Sequence, residues 1–174
     1  ADNAALYHAL QQCEKLYCAF VFDDSILAAL PHADRRVEFI CRSLAELDTA
    51  LRDTSGRPQT GLITRRGLPQ DIIPALARQL GAGAVFCNDD DEPAALARDA
   101  QVARSLQSQG QLLLRFKDHR IFARDEVLTQ SLSPFSVFTP YKNAWLRKIT
   151  PFYLAAYPSE RDLPARLADL PDTE

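Results

Sequence analysis

Residues 16–22 read LYCAFVF, and two aspartates, Asp23 and Asp24, follow them directly. This continuous apolar run is rich in aromatic and β-branched residues, a pattern that predicts a strand buried on both faces. Strands of that kind occur in parallel sheets that are covered by helices on both sides. The run therefore favours an α/β fold.

Strand and helix patterns alternate on the carboxyl side of this run. Further strands are predicted at residues 61–66, 84–88 and 112–117, and helices at 37–51, 72–80 and 94–108. The second helix should end at Gly81, and the third should turn Leu96, Ala100, Ala103 and Leu106 inward. The alternation predicts a doubly wound, mainly parallel, Rossmann-like sheet with helices on both faces.

Composition narrows the class of protein. The 174 residues, 47% apolar and 25% charged, fit one compact domain, and no apolar run reaches the roughly 18 residues of a membrane span. We expect a cytoplasmic protein that makes no membrane contact and carries four reduced thiols, because the cysteine spacing matches no zinc site. The net charge of −3 predicts weak binding to DNA by this chain alone.

Polar residues follow two of the predicted strands, at the edge where an open parallel sheet binds ligands. His32 and Arg36 come after the first strand, and Asn88, Asp90 and Glu92 after the third. The acidic stretch 89–92 is explained about equally well by capping of the next helix or by a ligand. No nucleophile motif, metal motif or glycine-rich phosphate loop is present, so we expect no catalytic residue here.

Residues 133–146, SPFSVFTPYKNAWL, combine two prolines with Phe135, Phe138, Tyr141 and the only Trp of the chain. Aromatic side chains left in water forfeit free energy, so another surface should cover this segment. It resembles the "PYxVFTPFxxAWL" signature of the DNA photolyase and cryptochrome family. Residues 2–6, 20–23, 85–88 and the Glu92-Pro93 and Arg98-Asp99 pairs resemble further motifs of that family, in the same order.

The resemblance implies a domain organisation. Residues 1–132 would form the α/β antenna-chromophore domain, 133–150 its aromatic closing segment, and 151–174 a linker. The family's five-stranded sheet has an opening strand at its centre, which we expect before residue 1, so a gap should appear there. The helical domain that binds FAD and UV-damaged DNA is expected after residue 174, and Trp145 is expected to be a packing anchor.

The resemblance also implies the type of antenna chromophore. Folate-binding members carry an Asn-Glu pair where this chain has Ala94 and Ala95, whereas deazaflavin-binding members carry residues matching Arg36, Asp90 and Glu92. A deazaflavin is therefore favoured, and FMN remains open. Folate remains open too, because His32 lies near a folate-contacting histidine of the family.

The function implied is that of the amino-terminal domain of a deoxyribodipyrimidine photolyase, a carbon–carbon lyase. Its full-length form, expected to be monomeric, would repair cyclobutane pyrimidine dimers by light-driven electron transfer from FAD. A cryptochrome-type blue-light photoreceptor is the alternative from another class. A free-standing nucleotide-binding module is a third possibility, which the aromatic segment disfavours.

Overall fold

The computed structural model describes residues 2–123 and 125–171. In chain order the elements are α1 (Ala4–Gln12), β1 (Cys18–Asp23), α2 (Asp24–Leu27), α3 (Arg35–Ser55), β2 (Leu62–Gly67), α4 (Pro69–Gln79), β3 (Ala84–Asn88), α5 (Pro93–Gln107), β4 (Leu112–Phe116), α6 (Phe138–Lys148), a 3-10 turn η1 (Pro151–Leu154) and α7 (Leu163–Arg166). Within these described ranges no helix combines the length and apolarity needed to cross a membrane.

All four predicted strands are present and parallel, which confirms the α/β fold. Strand β1 pairs with β2, starting from Cys18 opposite Leu62, and β3 pairs with β4, starting from Ala84 opposite Leu112. The two pairs form two separate sheets rather than one. Helix α4 contacts β1, β2 and α5, so it connects the two halves through packing.

A cleft of about 760 Å³ separates β1 from β3. Its walls are mainly apolar and come from both strands, from α4 and from Val102 of α5. Neither β1 nor β3 pairs with a strand along the edge that faces the cleft, within the part of the chain described. An opening therefore lies between the two strand pairs, at the place where a gap is expected for the missing strand.

The buried face of α5 differs from the predicted one. Ala95, Asp99, Val102 and Leu106 are buried, whereas Ala100 is exposed and Leu96 and Ala103 are only half-buried. The prediction is confirmed for Leu106 and wrong for the other three residues, because α5 packs against α4 and β4 along a face that includes a charged residue. Arg98 makes this burial possible by donating from Nε to Oδ1 of Asp99 at 3.0 Å. By contrast α4 ends as predicted, with Gly81 in a left-handed conformation at φ 61°.

The proline-rich end of the chain, predicted to be a linker or an extended arm, returns to the first helix and strand. Leu163 and Leu167 pack with Leu10 of α1 and Leu51 of α3 in one apolar core. The backbone of Leu16 bonds to both sides of this arm, donating to Arg166 and accepting from Ala168, each at 2.8 Å. At least residues 163–168 are therefore packed against the α/β body.

Candidate functional site

The carboxyl ends of β1 and β3 border one mouth of the cleft. Polar side chains concentrate in the lining, namely Asp23, Arg36, Asn88, Arg98 and Asp99. Apolar side chains of α2, α3 and the segment between them complete it, namely Ile26, Leu27, Leu30, Val37 and Ile40. The ends of two parallel strands thus place Asp23 and Asn88 at the border of an apolar cavity, to which α3 and α5 add charged groups, and open α/β sheets bind ligands at strand ends of this kind.

Asn88 is held by two hydrogen bonds at the end of β3. Its Oδ1 accepts from the backbone N–H of Ala5, and its Nδ2 donates to Oδ2 of Asp118, both at 2.9 Å. Asp118 in turn accepts from the N–H of Ala4, and Asn3 accepts from that of Leu6. Three of the first N–H groups of α1 are therefore capped by side chains, and Asn88 is one of the caps.

The acidic loop that follows β3 is largely neutralised by its neighbours. Asp89 lies 3.4 Å from Nε of Arg115, and Asp91 lies 3.1 Å from Nε of Arg120. Asp90 accepts a hydrogen bond from the backbone N–H of Glu92 at 3.0 Å, which lowers the pKa of its carboxyl group. Local pairing and capping therefore account for three of the four acids.

Glu92 differs from these three residues. It is the exposed N-cap residue of α5, and its side chain makes no capping hydrogen bond. Its side chain also forms no hydrogen bond or ion pair with the residues that the structure describes. The Glu92 carboxylate therefore remains available to a ligand.

Arg36 lies in the first turn of α3 and lines the cleft, whereas His32 precedes the helix and lies outside the lining. Arg36 is bound to the helix N-cap residue Asp34, with Nε of the arginine 2.9 Å from Oδ1 of the aspartate. This hydrogen bond lowers the pKa of Asp34 to about 2. Asp34 accepts from Nε and from Nη2 of the arginine, so three of the five N–H groups of Arg36 remain available. The arginine side chain is 72% exposed, and His32 is exposed as well.

The structure brings some of the predicted residues together. Arg36 and Asn88 line the same cleft, whereas His32, Asp90 and Glu92 lie outside its lining. Sequence reasoning missed Arg98 and Asp99 as lining residues, although the motif containing them was recognised. The signal that could have found them is an Arg-Asp pair on the buried side of a helix.

The thiols of Cys18 and Cys87 are poor nucleophiles. Burial raises the pKa of Cys18 to about 11, and burial together with the Asp99 carboxylate raises the pKa of Cys87 to about 11. Both are therefore protonated at neutral pH. Among residues 2–123 and 125–171, no group of three or more His, Cys, Asp or Glu side chains is placed to hold a metal ion.

Comparison with known proteins identifies the family. The family model described as DNA photolyase matches residues 1–165. The chain belongs to the DNA photolyase family. Proteins named cryptochromes are also among the relatives of this chain.

Two curated relatives and one solved structure illustrate the range of the family. A deoxyribodipyrimidine photo-lyase of Synechococcus sp. is 33% identical over 98% of this chain and 33% of the relative. Cryptochrome-2 of Gallus gallus is 28% identical over 73% of the chain and 21% of the relative. A class III photolyase of Agrobacterium tumefaciens, 24% identical, shares the fold with a TM-score of 0.77 over 99% of this chain and 34% of its own.

The chain spans about a third, or less, of the length of these relatives. The part that they share with it is the amino-terminal α/β domain of the family, as the sequence analysis predicts. Photolyase and cryptochrome names both occur among the relatives, so the family membership fixes the type of domain rather than the activity of the whole protein.

Proposed function

We propose that this chain is the antenna domain of a deoxyribodipyrimidine photolyase. In the whole protein, FAD in a carboxy-terminal helical domain would donate an electron under light and split cyclobutane pyrimidine dimers in DNA. The observation that carries the proposal is the 33% identity with a deoxyribodipyrimidine photo-lyase across 98% of the chain. The cryptochrome relatives match less of the chain, at 28% identity or below.

A repair assay tests this proposal. The longer polypeptide is incubated with dimer-containing oligonucleotides under blue light, and restored thymines are counted, with a dark sample as control. We expect light-dependent repair. Absence of repair by a protein that holds photoreducible FAD would favour the alternative, a cryptochrome-type photoreceptor.

The antenna chromophore is proposed to be a deazaflavin, with FMN or folate as the alternatives. The cleft fits a flat ring, because apolar side chains of α2 and α3 line it together with polar groups at the strand ends, Asp23 and Asn88, and with Arg98 and Asp99 of α5. The cleft volume falls within the range of small-molecule pockets, roughly 300–1,000 Å³. When bound, such a group absorbs light and passes the energy on, which requires no acid or base from the protein.

The residues divide into two proposed roles. Arg36, His32 and Glu92 would bind the polar edge of the ring, since each is exposed and has unused donors or acceptors. Asp90 and Asn88 would position the loop between β3 and α5, Asp90 through the N–H of Glu92 and Asn88 through α1 and Asp118. Folate fits less well, because Ala94 and Ala95 offer no polar side chain at the start of α5.

Chromophore retention tests these roles. A hydrogen bond to a charged group contributes about 1.5–3 kcal/mol, so Glu92→Ala should weaken retention roughly tenfold or more. The parent, Glu92→Ala and a control, Glu46→Ala, are each reconstituted with deazaflavin, FMN and folate, and the retained absorbance is compared. Glu46 is an exposed residue of α3, so its loss should not matter. Equal retention in all three proteins would remove Glu92 from the site.

The partners and location follow from the same proposal. The chain would work with the FAD-binding domain of its own polypeptide and would reach UV-damaged DNA only through that domain. The full-length protein is proposed to be a cytoplasmic monomer. Gel filtration with light scattering measures the molar mass in solution and so tests whether the protein is a monomer.

A further inference from the structure

A second groove lies between helix α6 and the loop that precedes it. Its volume is about 740 Å³, within the range of small-molecule pockets. We call it the α6 groove, and it is lined by residues 128–131, Phe135, Thr139, Pro140, Asn143, Ala144 and Arg147. None of these residues lines the cleft between β1 and β3, so the two cavities are separate.

Three polar side chains of α6 line the groove. Thr139, Asn143 and Arg147 follow one another at four-residue steps, so they form a row about 12 Å long on one side of the helix. With the residues that the structure describes, none of these three side chains forms a hydrogen bond or an ion pair. A hydroxyl, a carboxamide and a guanidinium are therefore available to one ligand.

The opposite side of α6 attaches the helix to the body of the domain. Trp145 is turned by about 160° around the helix axis from both Asn143 and Arg147. Its ring meets that of Phe122 edge-on, with centroids 5.6 Å apart, and the ammonium group of Lys148 lies 5.3 Å from the Phe122 centroid. The polar row is therefore held in place before any ligand binds.

The loop on the other side of the groove is fixed by its own hydrogen bonds. The backbone N–H of Thr129 donates to the carbonyl of Ser133 at 2.9 Å, and that of Leu132 donates to the carbonyl of Thr129 at 3.0 Å. Leu132 is held in the left-handed region at φ 57°, which residues other than glycine seldom adopt. Phe135 follows this turn and meets the ring of Tyr141 at 6.1 Å. A positioned aromatic ring therefore forms part of the groove wall.

The charge of the groove favours an anion. Among the described residues that line it, Arg147 is the only charged one. The carboxyl end of a helix carries roughly half a negative charge, which disfavours an anion, but the guanidinium of Arg147 adds a full positive charge there. Guanidinium groups bind phosphate or carboxylate through two parallel hydrogen bonds. Arg147 therefore supplies an anchor for the anionic group of a ligand.

The rest of the lining fits the base of a nucleotide. Nucleobases stack on aromatic rings, and Phe135 offers such a ring. The carboxamides of Asn and Gln pair with the N6 and N7 edge of adenine, and the groove has both residue types, as Asn143 and Gln130. We propose that the α6 groove binds a free adenine mononucleotide, with its phosphate on Arg147 and its base on Phe135 and Asn143.

NMR titration of the 174-residue chain with AMP tests the proposal. We expect a dissociation constant between about 50 µM and 1 mM, because the groove is open and offers one cation. The amide signals that shift should be those of the groove residues. Adenosine lacks the phosphate and inorganic phosphate lacks the ring, so each should bind at least about tenfold more weakly than AMP.

Two variants and one matched control locate the site. Arg147→Gln should weaken AMP binding at least about tenfold and leave adenosine binding unchanged, whereas Phe135→Leu should weaken the binding of both. The control is Arg104→Gln, because Arg104 is likewise an exposed arginine in the last turn of a helix and pairs with no acid among the described residues. It should bind AMP as the parent does. Circular dichroism checks that every variant keeps the fold of the parent.

Three results would overturn the proposal. One is the absence of saturable AMP binding up to about 5 mM. Another is AMP binding that Arg147→Gln leaves unchanged or that Arg104→Gln weakens equally, which would assign it to another site or to general charge attraction. The third is a deoxyadenosine hexanucleotide that binds more than about tenfold more tightly than AMP, which would assign the groove to single-stranded nucleic acid.

Discussion

The side-chain amide of Asn88 donates a hydrogen bond of 2.9 Å to Oδ2 of Asp118, across the carboxyl ends of β3 and β4. Each of the two residues also caps α1, Asn88 at Ala5 and Asp118 at Ala4. The edge of the sheet that borders the candidate site is thereby tied to the first helix of the chain. Asn88, which the sequence suggests as a ligand-binding residue, therefore has a structural role at this edge.

Replacing Asn88 by Ala should lower the free energy of unfolding by about 1–3 kcal/mol, since it leaves the N–H of Ala5 and an oxygen of Asp118 without partners. Asp118→Ala should lower the free energy of unfolding by a similar amount. The double variant should lose less than the sum of the two single losses, because the residues share one hydrogen-bond network. Chemical denaturation measures all three. Asn143→Ala, at an exposed position of α6, is the control. Additive losses would show that the two side chains act independently.

The pH dependence of stability should depend in part on Asp48. Its carboxylate accepts from Arg52, with Nε at 2.9 Å, and from the N–H of Leu62, and the arginine bond holds the pKa of Asp48 below its ordinary value. A lowered folded-state pKa stabilises the fold above the unfolded pKa of about 3.9, and this stabilisation is lost as pH falls through the folded value. Asp48→Asn should therefore be less stable than the parent at pH 7 and approach it below about pH 3. A constant difference across this range would rule out the carboxylate as the cause.

The cleft between β1 and β3 should accept an extended segment. We expect the strand that the family places at the centre of its sheet to lie there, parallel to both neighbours. Hydrogen exchange measures this, because the amides of β1 and β3 that face the cleft should exchange at least about tenfold more slowly in a polypeptide that includes the residues before residue 1. Unchanged exchange of these amides would argue against a strand in the cleft.

The 174-residue chain should bind neither DNA nor FAD with submicromolar affinity. Its net charge is −3, and two arginines of the β4 edge are already paired with Asp89 and Asp91. Fluorescence titration at physiological salt, with dimer-containing DNA and with FAD, checks both. Submicromolar binding of either ligand would contradict this prediction.

The location of strands and helices follows from the sequence, because buried strands and amphipathic helices have their own periodicities. Residues 16–22 and the turn at Gly81 are read correctly for that reason. The family signature likewise appears as short local motifs. Helix α6 was not predicted, since the density of aromatic residues and Pro140 conceals its period, although a proline fits the first turn of a helix.

Tertiary structure alone decided which side of each element is buried and which polar groups meet. Asp99 is buried and paired with Arg98 at 3.0 Å, and hydropathy alone does not predict such a buried charged residue. The acidic loop is paired by Arg115 and Arg120, which lie some 25–30 residues away in sequence. Such pairings depend on the parallel arrangement of β3 and β4, which brings distant residues to one edge. The sequence determines the elements through local periodicity, whereas long-range packing determines their partners.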